Sequence, residues 1–335
     1  MNGFERLQSV LAGKPADRLP LMPITMMFAA RQLGIPYRPY AVDHRQLVAA
    51  QIHVAERFDF DHVSCISETR EAEDCGAVMR YFDDQSPAID PQRLLLEEKS
   101  KLLSLPLPDP REKPRMRDRI QAAELFCRRV KGARLIEGWI EGPCADAADL
   151  RGLQNLMLDF YEDPPFVGEL FEFSLQLGQR FALAQIEAGV DLVGIGDAAA
   201  SLVGPEIYRR FIYPYEKRLV DFIHDRKVPV RLHICGDISH LLADIAGLGC
   251  DIVDLDWLVS LARARRELGE KPLLLGNINP VTVLLNGTPE LVEKSLAECH
   301  GQAGRRYIVG AGCEIPRDTP PENVLTMTRF AQRRR

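Results

Sequence analysis

The sequence has no excess of positive charge: 42 Lys and Arg stand against 48 Asp and Glu, for a net charge of −6. That balance offers nothing to a phosphate backbone or an anionic bilayer, so nucleic-acid and membrane partners are not expected. The basic clusters that do occur, Arg128-Arg129 and Arg333-Arg334-Arg335, read as solvated helix ends. No apolar run approaches the ~18 residues of a membrane span. Residues 1–6 have none of the apolar stretch of a secretory leader, so a cytoplasmic protein is expected. No Gly-x-Gly-x-x-Gly follows the first apolar run, which removes the usual signature of a nucleotide-binding open sheet. Internal repeats, low-complexity tracts and an interdomain linker are also missing. Cysteine, by contrast, is present eight times. In a chain of this size and context that does not read as a disulfide framework; the thiols are core fillers, metal ligands or reactive groups.

What is there is an alternation. Short apolar runs at 19–24, 62–66, 134–140, 192–196, 230–235, 252–257, 273–278 and 307–311 alternate with longer segments of helical period, such as 43–58, 114–131, 164–188, 205–226 and 289–300. The helical segments open on Asp or Pro, and several close on Gly, Lys or Arg, as helix ends do. Eight strands alternating with helices predict an α/β fold, a (β/α)8 TIM barrel forming a single domain over 1–335. Residues 79–110, with Tyr81-Phe82-Asp83-Asp84 and several prolines, are expected to be an inserted hairpin and loop.

Barrel active sites lie at the C-terminal ends of the strands. Thr25, Ser67, Glu68, Glu141, Asp197, His233, Cys235, Asp254, Asp256, Asn277 and Cys313 fall there. His233-Ile234-Cys235 is the most informative, because positions i and i+2 of a strand project to one face. An imidazole and a thiol then point together, which is two-thirds of a catalytic zinc site. For the third ligand, Cys250 precedes its strand and Cys127, Cys299 and Cys75 read as core or loop residues. Cys65, Cys144 and Cys313 remain as candidates at the mouth. Cys313 is the best placed, since Gly310 and Gly312 let the backbone bend toward the site. The competing reading is a core histidine beside two unrelated thiols. A His-Cys-Cys set is soft enough to select zinc over magnesium or calcium, and three ligands leave a fourth position open. Glu141 is a candidate to occupy that position at rest.

Taken together, these residues resemble the uroporphyrinogen decarboxylase superfamily and, within it, the zinc-dependent corrinoid methyltransferase branch that includes methylcobalamin:coenzyme M methyltransferases. The resemblance is carried by Glu141-Gly-Pro143, Gly189-Val-Asp-Leu-Val193 leading to Gly196-Asp197 and Ser201, and Pro205…Tyr208…Phe211…Pro214-Tyr215. It continues through His233-x-Cys235, Gly276-Asn-Ile-Asn-Pro280, Gly287-Thr-Pro-Glu290 and Gly312-Cys313 followed by Pro316…Thr319-Pro320…Asn323. The decarboxylase arm has paired arginines in its first-strand segment and an aspartate after the second. Here residues 19–27 contain no arginine, Ile35 stands where Arg31-Gln32-Leu33-Gly34 would need its partner arginine, and Ser67-Glu68 replaces the aspartate. The methyltransferase branch is the better match.

That branch implies Zn2+ on His233, Cys235 and Cys313. It also implies methyl transfer between methylcobalamin or another corrinoid and a thiol or other small-molecule acceptor or donor. No corrinoid-binding Asp-x-His-x-x-Gly is present, so the corrinoid is expected on a separate partner protein. Trp139 and Trp257 are the aromatic candidates for its docking region. Glu141, Asp197 and Asn277 are the expected catalytic or substrate-contacting residues, Asp197 and Asn277 being equally suited to capping helices. The acceptor for the second ring nitrogen of His233 could be Asp237, Asp254 or Asp256. Two alternatives stand beside this reading: a uroporphyrinogen decarboxylase, and a non-catalytic barrel that binds a corrinoid or its carrier.

Overall fold

The computed structural model describes residues 1–68 and 70–334, so Arg335 of the C-terminal arginine cluster lies outside the described residues. Seven strands form one parallel sheet: β1 (His62–Ser64), β2 (Leu135–Glu141), β3 (Leu192–Gly196), β4 (Val230–Ile234), β5 (Ile252–Leu255), β6 (Leu273–Leu275) and β7 (Tyr307–Ile308). Each is hydrogen-bonded to its neighbour in sequence order, β1 to β7, as right-handed β-α-β crossovers require. The predicted first strand is present only as a bridge. Leu21 pairs in parallel with Val309, and Asp61 N–H donates to Leu21 O at 3.0 Å, which joins the two edges of the sheet. Pro20 and Pro23 flank this segment and have no N–H to donate, so a regular ladder cannot extend along it. The eighth wall of the barrel is therefore irregular.

Helices surround the sheet and start where the sequence signals place them. Asp43 caps the helix His44–Arg57, Asp163 caps Pro164–Glu187 and Thr288 caps Pro289–Ala303. The segment expected as one helix over 205–226 is instead divided into Pro205–Ile207, a π-type turn Tyr208–Ile212 and a helix Tyr213–His224. Pro214 removes one i→i−4 donor, and the wider turn accommodates the loss. Met79–Arg80 and Ala88–Ile89 form an antiparallel pair outside the barrel. No helix among the described residues is long and apolar enough to cross a membrane.

The two ends of the barrel differ. The helix Gly3–Leu11 lies across the N-terminal end and buries Leu7 in a cluster with Met22, Leu135, Leu192, Ile252, Leu273 and Ile308. That end is plugged with hydrocarbon. Toward the opposite end the interior becomes polar: Glu137, Arg231, His233 and Asp254 are all buried there.

Candidate metal centre

The centre begins in the register of β4. Arg231 and His233 share one face, and the backbone continues to Cys235 on that same face. Pairing sets Gly196 of β3 on one side of His233 and Asp254 of β5 on the other. On β3 the inward positions are glycines, Gly194 and Gly196. A Cβ on Gly194 would lie 2.3 Å from the Trp139 ring and 3.2 Å from a Glu137 carboxylate oxygen. Lacking one, β3 leaves room for Trp139 to enter the barrel, and for Arg231 to reach across to Glu137 at 3.0 Å.

His233, Cys235 and Cys313 bring one ligand atom each to within 4.8 Å of one another. His233 Nε2 is 3.0 Å from Cys235 Sγ, and the two sulfurs are 3.7 Å apart. Cys313 arrives from the loop after β7, and Gly312 explains how. A Cβ there would meet the Trp257 backbone nitrogen at 2.3 Å, so only glycine allows this loop to lie against the one after β5. Gly236, at φ +96°, turns the chain away directly after Cys235.

The environment prepares these atoms as ligands. His233 Nδ1 faces Asp254, 3.1 Å from its carboxylate and 3.2 Å from its backbone carbonyl, which leaves Nε2 directed at the thiols. Burial opposes protonation of the imidazole, but Asp254 and Cys235 outweigh it and raise its pKa well above the ordinary value. Burial likewise pushes the Asp254 carboxyl up; Arg231 and His233 prevail and hold it below its usual range. Cys313 is brought down to about 5, chiefly because Cys235 donates a hydrogen bond to it, while the same bond and burial push Cys235 up. One thiolate is thus favoured before any ion arrives.

The donor set fits zinc. Zn–S bonds of about 2.3 Å in a tetrahedron separate two sulfurs by about 3.7 Å, the spacing found here. The imidazole-to-thiol pair would open by about half an ångström on binding the ion. Of the three acceptors open for His233, the structure selects Asp254. Asp256 instead accepts from Gly236 and Leu258 N–H, and Asp237 from Ser239 N–H. A second group, Asp43, His44 and Asp118, is a helix-end arrangement in which His44 N–H and Nδ1 both bond to Asp118.

A cavity of about 640 Å³ opens beside Cys235 and Gly236, with Glu68, Glu141 and Asp149 in its wall. Glu141 is not one of the three converging ligands: its carboxylate lies 3.6 Å from Arg70. Asp197 and Asn277 correct the expectation of substrate contact. Asp197 is fully buried and accepts from Cys144 and Ala145 N–H, capping the helix Pro143–Arg151, which precedes it in the chain. Asn277 donates to the carbonyls of Asp256 and Val259, tying the β5 and β6 loops together. Cys65 and Cys144 are buried away from the group. Asp197→Ala is expected to lower unfolding stability by roughly 1–2 kcal/mol, as loss of a helix cap does. Metal content should be unchanged, which paired denaturation and elemental analysis would check; loss of metal would mean that Asp197 supports the centre.

Several residues of the site carried signals that the sequence reading passed over. Arg231 and Glu137 are charges inside apolar strand runs, and Asp146 and Asp149 lie one turn apart on a short buried helix. Trp139 is buried under Arg231, whereas Trp257 is 46% exposed beside the Cys313 loop.

With that geometry in view, known proteins offer a comparison. A methylcobamide:CoM methyltransferase of Methanosarcina mazei is 28% identical over 98% of this chain and 97% of its own length. A uroporphyrinogen decarboxylase of Chlorobaculum parvum is 30% identical, over 51% of this chain and 50% of its own. A solved structure described as a methyltransferase from Methanosarcina mazei superposes with a TM-score of 0.90 at 20% identity, covering 99% of both chains, and shows the same fold. The match to the uroporphyrinogen decarboxylase (URO-D) family runs from residue 2 to residue 334. With the barrel and the whole-length relatives in agreement, this chain belongs to the uroporphyrinogen decarboxylase family of enzymes.

Proposed function

We propose that this chain is a cytoplasmic, zinc-dependent methyltransferase. It would move a methyl group between a corrinoid on a partner protein and a small-molecule thiol or other acceptor or donor. The observation that carries this reading is the convergence of His233, Cys235 and Cys313 at the open end of the barrel, beside a cavity large enough for a small substrate. Bound zinc would supply a Lewis-acid position that acidifies and orients a substrate heteroatom.

The chain's residues do the rest. His233, Cys235 and Cys313 hold the ion, and Asp254 fixes the tautomer and plane of His233. Glu141, tethered through Arg70, forms the wall that faces the substrate. Transfer would be a displacement at carbon in which the substrate heteroatom, its proton lost to solvent, takes the methyl group while the electron pair of the broken bond stays with the partner's corrinoid; the opposite direction would run the same step in reverse. Such a step asks for alignment more than proton transfer, and a barrel mouth supplies it. Exposed Trp257 and Leu258, next to the Cys313 loop, give the partner an apolar surface to meet. Eight free thiols suit a reducing compartment.

The decarboxylase alternative requires cations for the carboxylates of its substrate, and no basic side chain lines this cavity among the described residues. The deciding experiment incubates the purified chain with methylcobalamin and a panel of thiols and methylated donors. About one zinc per chain and acceptor-dependent loss of methylcobalamin absorbance are expected. Metal-independent conversion of uroporphyrinogen to coproporphyrinogen would establish the decarboxylase instead. Tight corrinoid-protein binding without methyl exchange would leave a non-catalytic barrel.

A further inference from the structure

The cavity beside Cys235 is walled with more hydrocarbon than a short thiol would need. Part of that wall comes from the inserted segment, as Ile89, Pro91 and Leu94. It is built in place. Leu96 N–H donates to Leu150 O at 3.0 Å, and Arg151 Nη1 donates to the Leu96 and Glu97 carbonyls at 2.7 and 2.8 Å. A Cβ on Gly152, at φ +86°, would lie 2.6 Å from a methyl group of Leu94, so the glycine is what lets Leu94 seat in the wall. The helix Pro143–Arg151 adds Ala145 and Ala148, small side chains that leave the space open. Leu153 and Leu202 complete the apolar surface although they are 44% and 60% exposed.

The polar groups of the same wall are already engaged. Glu68 accepts from the Tyr37 hydroxyl at 2.7 and 2.8 Å, Ser201 donates to Ala198 O at 2.9 Å, and Glu141 faces Arg70. Burial pushes Glu141 far above the carboxylate range and Asp149 up to about 7, so neither offers a cation a full counter-charge near neutral pH. No Lys or Arg among the described residues lines the cavity to receive an anion. What remains for a ligand is apolar contact, and the two exposed leucines gain free energy when it covers them. There is room for it: cavities of about 300–1,000 Å³ take ligands of drug size, and this one is about 640 Å³.

Resting on the methyltransferase reading above, we propose that the small-molecule substrate is uncharged and has an apolar body the size of an aromatic ring or larger. Its reacting heteroatom points toward His233, Cys235 and Cys313, and its body lies against Leu94, Leu153 and Leu202, which set the specificity. A thiol ending in a sulfonate or an ammonium group would leave its charge unpaired against this wall, and it binds poorly.

The test titrates the zinc-loaded full chain calorimetrically with 2-phenylethanethiol, 2-mercaptoethanol, 2-aminoethanethiol and 2-mercaptoethanesulfonate, which share a thiol arm and differ in the group it carries. The aryl thiol is expected to bind at least about tenfold more tightly than each of the others. Leu153→Ser combined with Leu202→Ser should weaken the aryl thiol about three- to tenfold and 2-mercaptoethanol by less than about twofold. Both side chains are exposed, so the fold should hold, which zinc content and circular dichroism check. Equal or tighter binding of any of the other three thiols by the unsubstituted chain overturns the proposal and leaves the methyltransferase reading intact, since a thiol still reaches the zinc. An equal loss for both thiols in the double variant overturns it as well. 2-Phenylethanol, which has no thiol, separates the two readings: if it binds as tightly as the aryl thiol, the apolar site stands and a thiol substrate at the zinc does not. Displacement of the aryl thiol by cyanocobalamin would assign the cavity to the corrinoid and overturn the proposal.

Discussion

Cys313→Ala is expected to take the chain from about one bound zinc to less than about a tenth of one, because a two-ligand site cannot hold the ion against dialysis. Methyl transfer should fall by about a thousandfold or more, the several kcal/mol that a Lewis acid contributes to such a step. Fold should survive. Cys313 sits in a partly exposed loop, and removing its thiol leaves no large cavity and no buried charge. Cys144→Ala is the matched control. That thiol is buried at the start of the helix Pro143–Arg151, 0% exposed and outside the converging group. It should cost some stability and no zinc. Elemental analysis and circular dichroism on both variants check the pair of expectations; zinc retained by Cys313→Ala would sink the metal assignment.

That Cys313 could be singled out in the sequence follows from local chemistry. The alternation of a strand puts His233 and Cys235 on one face, and the glycines at 310 and 312 mark a loop that must approach another backbone closely. The barrel was legible for a similar reason: apolar runs and helix caps are short-range signals. What could not be read depends on register between distant segments. Asp197 caps a helix more than fifty residues earlier, because β2 and β3 are neighbours and Gly142 leaves space for its carboxylate. Asp254 beats Asp237 and Asp256 as the partner of His233 only because β4 and β5 pair His233 with Asp254. Likewise, the acids behind Glu141 become a cluster only when Arg70 and the helix Pro143–Arg151 are brought together. The short first strand is a different case, since Pro20 and Pro23 stand in the sequence itself and their missing N–H donors already argue against a regular ladder there.

Asp254→Asn is expected to have the second-largest effect, and it acts on two properties at once. Asp254 lies between His233 Nδ1 at 3.1 Å and Arg231, whose guanidinium it accepts at 2.6 Å. Arg231 in turn reaches Glu137 at 3.0 Å, and all four residues are buried. The asparagine keeps the shape but removes the charge that orients the imidazole, so zinc affinity should fall about 10- to 100-fold. It also leaves Arg231 with Glu137 as its remaining counter-charge, and breaking one arm of a buried ion pair costs roughly 3–5 kcal/mol of unfolding stability. Glu137→Gln separates the two effects. It should destabilise the barrel by a comparable amount, because the same guanidinium loses its other partner, yet zinc affinity should change by less than about threefold, since His233 still faces Asp254. Competition with a colorimetric chelator reads the first quantity and denaturant melts read the second. Equal loss of zinc in both variants would mean that metal binding merely follows stability, and that Asp254 does not orient His233.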